Sequence, residues 1–147
     1  MSCSREHPVE ILLIDDNPAD KRLAIEAFKE CKTCHHLNTV DDGVEAMEFL
    51  QRKGPYADAV KPDLIILDLN LPRKDGREVL ADVRGDQALK YIPIVVMSIS
   101  DAGSDILNIY NLGANCYITK PIDLEQFIHV VRRIEEFWFQ IVKLPPR

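Results

Sequence analysis

Residues 64–76 read LIILDLNLPRKDG. The stretch opens, after Pro62 and Asp63, on the unbroken apolar run Leu64, Ile65, Ile66 and Leu67. A short run of this kind bounded by turn formers fits a strand buried on both faces, as in a parallel sheet with helices over each side. Asp68 then stands where burial should stop. Pro72 and Gly76 shape a turn ahead of a helical stripe at Val79, Leu80 and Val83. A carboxylate carried out of the core either meets solvent or serves a site at the edge of the sheet, and the rest of the chain decides between them.

Outward from this stretch, strand and helix alternate. Residues 9–14 form an apolar strand, and 18–29 place Leu23, Ala24, Ala27 and Phe28 on one helical stripe. Residues 37–40 are a weaker strand. Asp42 is placed to cap a helix carrying Val44, Met47, Phe49 and Leu50, and 55–62 form a loop. A fourth strand is expected over 92–97, a helix over 102–112, a fifth strand over 115–119, and a last helix from Leu124 towards Val142. Apolar strands separated by helices imply an α/β fold, a doubly wound parallel sheet joined by right-handed crossovers.

Composition narrows the function. With 147 residues, 46% of them hydrophobic, the chain fits one domain with a substantial core. A net charge of -6 without a Lys/Arg block counts against nucleic acid or an anionic membrane as partner. No apolar run is long enough to cross a bilayer and the N-terminus has no signal-like apolar core, so a cytoplasmic protein is expected. The four cysteines give no disulfide framework of the small secreted kind. Cys31-Lys-Thr-Cys34-His35, followed by His36, formally matches a haem-attachment pattern. Its place between a helix and a strand, without a secretory signal, favours an ordinary connection.

In an open α/β sheet the functional crevice lies beyond the carboxyl ends of the strands. Asp15 and Asp16 end the first strand, Asp68 the third, Ser98 the fourth and Lys120 the fifth, so these polar groups should converge on one rim. Clustered carboxylates repel unless a proton or a cation joins them, and oxygen ligands with room for water suit Mg²⁺. A lysine could neutralise an added anion, a serine could hydrogen-bond a phosphoryl oxygen, and an aspartate could act as the nucleophile.

Asp15-Asp16, Asp68 in DLNLPRKDG, Ser98 and Tyr117-Ile-Thr-Lys120-Pro121 together resemble a response-regulator receiver domain, over residues 9–135. The resemblance implies a flavodoxin-like sheet of strand order 2-1-3-4-5 with five helices and a C-terminal helical extension. It implies phosphorylation of Asp68, Mg²⁺ held by Asp16, Asp68 and the Asn70 carbonyl with Asp15 assisting through water, and Lys120 paired with the phosphoryl group. Ser98 and Tyr117 would be the switch residues, and Lys120–Pro121 a cis peptide. Implied too are a sensor histidine kinase as donor and self-catalysed transfer and hydrolysis; a histidine phosphotransfer protein is an equally compatible partner. Ile99 departs from the pattern, because a small residue usually borders the site there.

Residues 1–8 would be an N-terminal arm and 136–147 an extension beyond the receiver. The ending from Glu136 and the stretch DLNLPRKDGREVLADV resemble the small regulators paired with cyanobacterial-type phytochromes. The apolar positions of this last helix spread wider than one core face, so a homodimer is expected through Phe127, Ile134, Phe137, Trp138 and Phe139. Without a second domain, the output would be a protein contact. Two other readings compete: an aspartate-nucleophile, Mg²⁺-dependent phosphatase of the haloacid-dehalogenase type, and a haem or metal module at Cys31, Cys34 and His35. The phosphatase would need a second acid two residues after the nucleophile, where Asn70 stands.

Overall fold

The computed structural model describes residues 8–100 and 102–146. Five parallel strands, β1 (Val9–Ile14), β2 (His35–Val40), β3 (Leu64–Asp68), β4 (Ile94–Ser98) and β5 (Cys116–Thr119), form one sheet in the order β2-β1-β3-β4-β5. The connecting helices are α1 (Pro18–Phe28), α2 (Gly43–Gln51), α3 (Gly76–Gly85) and α4 (Gly103–Asn111), and α5 (Leu124–Ile134) follows β5. This is the expected doubly wound, flavodoxin-like order.

Strand periodicity divides the core in two. Leu12, Ile14, Ile65, Leu67, Ile94 and Val96 face α2, α3 and α4, which contribute Ala46, Leu50, Val79, Leu80, Val83 and Ile109. The alternate residues Ile11, Leu13, Leu64, Ile66, Val95 and Met97 pack on Ala24, Ala27 and Phe28 of α1 and on Phe127, Val131 and Ile134 of α5. Asn17, Asp42, Asp75 and Asp123 cap α1, α2, α3 and α5 with side-chain bonds to the orphan N–H groups, each worth about 0.5–2 kcal/mol. At Asp75 the cap is reciprocal, with Glu78 returning a bond to the Asp75 N–H. Gly76 lets α3 begin hard against the end of β3: a Cβ there would lie 2.6 Å from the Asp68 carbonyl oxygen.

Several expectations need correction. β2 begins at His35, two residues before the expected strand, and β4 begins at Ile94 because the Ile92 N–H bonds back to Leu89 and Pro93 has no N–H to give. The last helix does not run uniformly towards Val142. After Ile134 it widens into a π-helical segment, Glu135–Ile141, and Val142 is extended. The wider turn directs Trp138 and Phe139 partly onto the α1/α5 core and leaves Phe137 51% and Ile141 72% exposed. Phe127 and Ile134 are buried in their own domain's core, where a second copy cannot touch them. Leu144 folds back onto the same core, and Pro145 and Pro146 line a small cleft together with Tyr91 and Pro93 beside the amino end of β4. The extension is thus packed on the receiver. Of the expected arm, residues 1–7 lie outside the described residues.

Candidate functional site

Strand register brings the predicted rim together. Ile14 pairs with Leu67, Asp68 with Met97 and Ser98 with Thr119, so Asp15, Asp68, Ser98 and Lys120 all sit at the same end of the sheet. Asp15 and Asp68 are buried and Asp16 is exposed. One carboxylate oxygen from each of these acids lies within 4.8 Å of the others. Hard oxygen donors at this spacing, two of them shielded and one open to solvent, fit Mg²⁺. Bound there, the ion would neutralise charge on an incoming phosphoryl group.

Lys120 closes the pocket. Its ammonium lies 2.8 Å from Asp68 Oδ2, 3.1 Å from Asp15 Oδ2 and 2.8 Å from Asp20 Oδ2. Burial works against the charged ammonium, but Asp20, Asp68 and Asp15 outweigh it and hold Lys120 above the ordinary lysine range. Desolvation pushes Asp15 up to about 6, opposed by the Asn17 N–H and by Lys120 and assisted by the Asp68 charge. The other oxygen of Asp68 accepts from the Asn70 N–H at 3.2 Å, and Asn70 itself is exposed. The Asp68 carboxylate is therefore oriented by one backbone and one side-chain donor.

Ser98 is buried, its Oγ accepts from the Ser100 N–H at 3.2 Å, and its carbonyl accepts from the Lys120 N–H. The Tyr117 hydroxyl donates to the Ser100 carbonyl at 2.7 Å, tying the half-buried ring to the segment that follows Ser98. Ile99 projects into solvent, 76% exposed. There is no cis peptide among the described residues, so the expected cis bond before Pro121 is trans. The tertiary amide still favours trans by about 0.5–1 kcal/mol, and Lys120 reaches the acids in that form.

Asp20 is the member that sequence reasoning missed. It lies in the first turn of α1, where an acid is ordinarily read as complementing the helix dipole. Asp16 lies before the Asn17 cap and outside the helix, so no helical spacing in the sequence pointed to Asp20. The cysteine motif does not form a metal site. Cys31 is a free thiol pushed up to about 12 by burial and by Glu135, and His35 Nδ1 is engaged with the Thr33 carbonyl at 2.8 Å. Among the described residues Asp15, Asp16 and Asp68 are the group placed to hold a metal ion.

A strand-end aspartate with a half-buried lysine on one of its oxygens and two further acids beside it, on a 2-1-3-4-5 sheet, is the arrangement of a phosphoryl-accepting signalling domain. Residues 11–132 match the response regulator receiver domain, and the chain belongs to that family, whose members bind Mg²⁺ at the acidic pocket and are phosphorylated on aspartate. It is 45% identical over 145 residues to response regulator Rcp1 of Synechocystis sp. strain PCC 6803, covering 99% of each chain. The crystal structure of Mn²⁺-bound Rcp1 superposes with a TM-score of 0.87 over 95% of this chain and 100% of that one. That of the phosphorylated cyanobacterial phytochrome response regulator RcpA superposes with a TM-score of 0.90 at 50% identity, covering 95% of this chain and 100% of that one. The chain is thus a response regulator related to those of phytochromes.

Proposed function

We propose that Asp68 is the phosphoacceptor of a phytochrome-type sensor histidine kinase. The observation that carries this reading is the Lys120 ammonium 2.8 Å from Asp68 Oδ2 at the mouth of an acidic, oxygen-only pocket. An Asp68 oxygen attacks the phosphorus of the donor's phosphohistidine, the new O–P bond forms as the P–N bond breaks, and the electron pair returns to the imidazole nitrogen. Lys120 then pairs with a phosphoryl oxygen, and water later returns the phosphoryl group as inorganic phosphate. Asp16, Asp68 and the Asn70 carbonyl would hold Mg²⁺, with Asp15 acting through water.

Ser98 and Tyr117 carry the signal outward. They meet at Ser100, so a pull on Ser98 by the phosphoryl group would be felt by the Tyr117 ring through one hydrogen-bonded segment. The partners are the kinase, a second copy of the chain through Phe137, Trp138 and Phe139, and in a relay a histidine phosphotransfer protein. The setting is cytoplasmic, consistent with the absence, among the described residues, of any helix long and apolar enough to cross a membrane. A phosphatase reading is disfavoured because Asn70 offers no proton to a leaving group.

The test is the intact mass of wild type and Asp68→Asn after incubation with Mg²⁺ and acetyl phosphate. Wild type is expected to gain one phosphoryl group and the variant none. If neither gains mass from acetyl phosphate or from a phosphorylated histidine kinase, the reading is wrong.

A further inference from the structure

The Lys120 ammonium has three N–H donors and three carboxylate oxygens around it, on Asp68, Asp15 and Asp20. Two of these acids belong to the pocket that the receiver reading already uses. Asp20 does not: it comes from α1, is partly exposed, and approaches the ammonium as closely as Asp68 does, at 2.8 Å. A phosphoryl group on Asp68 needs an ammonium donor of its own. One of the three present partners must then yield, and a charged acceptor on a helix at the pocket rim competes directly with the phosphoryl oxygens for Lys120.

We propose that Asp20 is a positioning residue that holds Lys120 by one donor and thereby sets how strongly the ammonium engages a phosphoryl group on Asp68. The inference rests on the receiver reading. Asp20 acts through Lys120 and does not touch the acceptor. Its α1 backbone is pinned by the Asn17 side chain, which accepts from the Asp20 N–H at 3.1 Å, so the carboxylate is presented from a fixed turn. Removing its charge frees a donor for the phosphoryl oxygens, and retaining the charge on a longer stem preserves the competition.

The experiment measures the affinity of beryllofluoride, a stable mimic of the phosphoryl group, at saturating Mg²⁺ for wild type, Asp20→Asn and Asp20→Glu. Asp20→Asn is expected to bind at least about fivefold more tightly and Asp20→Glu within about twofold of wild type. The same Asp20→Asn change in a Lys120→Met background is expected to shift the affinity by less than about twofold, because the residue through which it acts is gone. A helix-dipole or general field effect would persist without Lys120, and that result overturns the proposal. So does equal affinity of wild type and Asp20→Asn. Wild type failing to bind, or Asp68→Asn binding as well as wild type, would instead overturn the receiver reading on which the proposal stands.

Discussion

At the scale of single residues, the pocket is shaped by what surrounds Asp68 as much as by Asp68 itself. Ile99, the departure from the family pattern, borders the site with a bulky apolar side chain 76% exposed to solvent. A bulky side chain next to Ser98 is expected to narrow the approach of a phosphodonor or of hydrolytic water. Ile99→Ala should accelerate acetyl phosphate loading or loss of the phosphoryl group by about twofold or more, a small steric effect of the order expected for rim residues. Stopped-flow or quench measurements giving the same rates for both proteins would remove Ile99 from the account. Asp68, Ser98 and Lys120 could be recognised one by one from the sequence because each terminates a strand. Asp20 could not, since nothing in a helix's first turn says which neighbour its side chain will meet.

At the scale of elements, two contacts tie the helices to the amino end of the sheet, the end opposite the site. The first is Arg84 at the end of α3. Its guanidinium donates to the carbonyls of Gly113, Lys90 and Ile92 and to the Asn115 side chain, which in turn accepts from the Ile94 N–H at the start of β4. Gly113 turns with φ 108, a backbone that glycine allows, and so offers its carbonyl to this latch. Arg84→Ala should destabilise the domain by about 2–4 kcal/mol in urea unfolding, because it strands several charge-assisted bonds at once. Arg84→Lys should recover only part of this, since an ammonium cannot reproduce the planar fork.

The second contact is Glu135, buried at the start of the π-helical segment and accepting the Thr33 N–H at 2.5 Å, which ties the extension to the α1–β2 connection. Burial disfavours its charged form, but the Thr33 bonds win and its pKa is lowered. A carboxylate with a depressed folded-state pKa contributes stability that is present above its unfolded value of 4.5 and lost as pH falls through the lower folded value. Wild type should therefore melt higher than Glu135→Gln at neutral pH, with the gap closing below pH 4.5. A gap unchanged by acid would show that the contact does not depend on the charge. The widening of the helix at Glu135 had no signal in apolar spacing, because the same residues serve a π or an α turn and tertiary packing chooses between them.

At the scale of the whole molecule, the aromatic ending is divided between the domain's own core and its surface. Trp138 and Phe139 pack partly inward, while Phe137 lines a groove with Ile118, Val130 and Arg133 and Ile141 is exposed. If this face joins two copies, sedimentation of wild type should give a dimer, and Phe137→Asp a folded monomer, since a charge at the seam adds desolvation and like-charge repulsion across a two-fold axis. A wild-type monomer at high concentration, with and without phosphodonor, would end the dimer reading.

The sequence by itself determined the alternation of strands and helices, the burial of the sheet on both faces, and the acids and lysine that terminate its strands. These follow from apolar period and from local turn and cap chemistry, which are properties of neighbouring residues. Only the tertiary structure decided that Asp20 shares Lys120, that Phe127 and Ile134 are spent on the core, that the last helix widens at Glu135, and that the bond before Pro121 is trans. Each of those depends on which distant surfaces meet, and a contact between residues a hundred positions apart leaves no period in the chain.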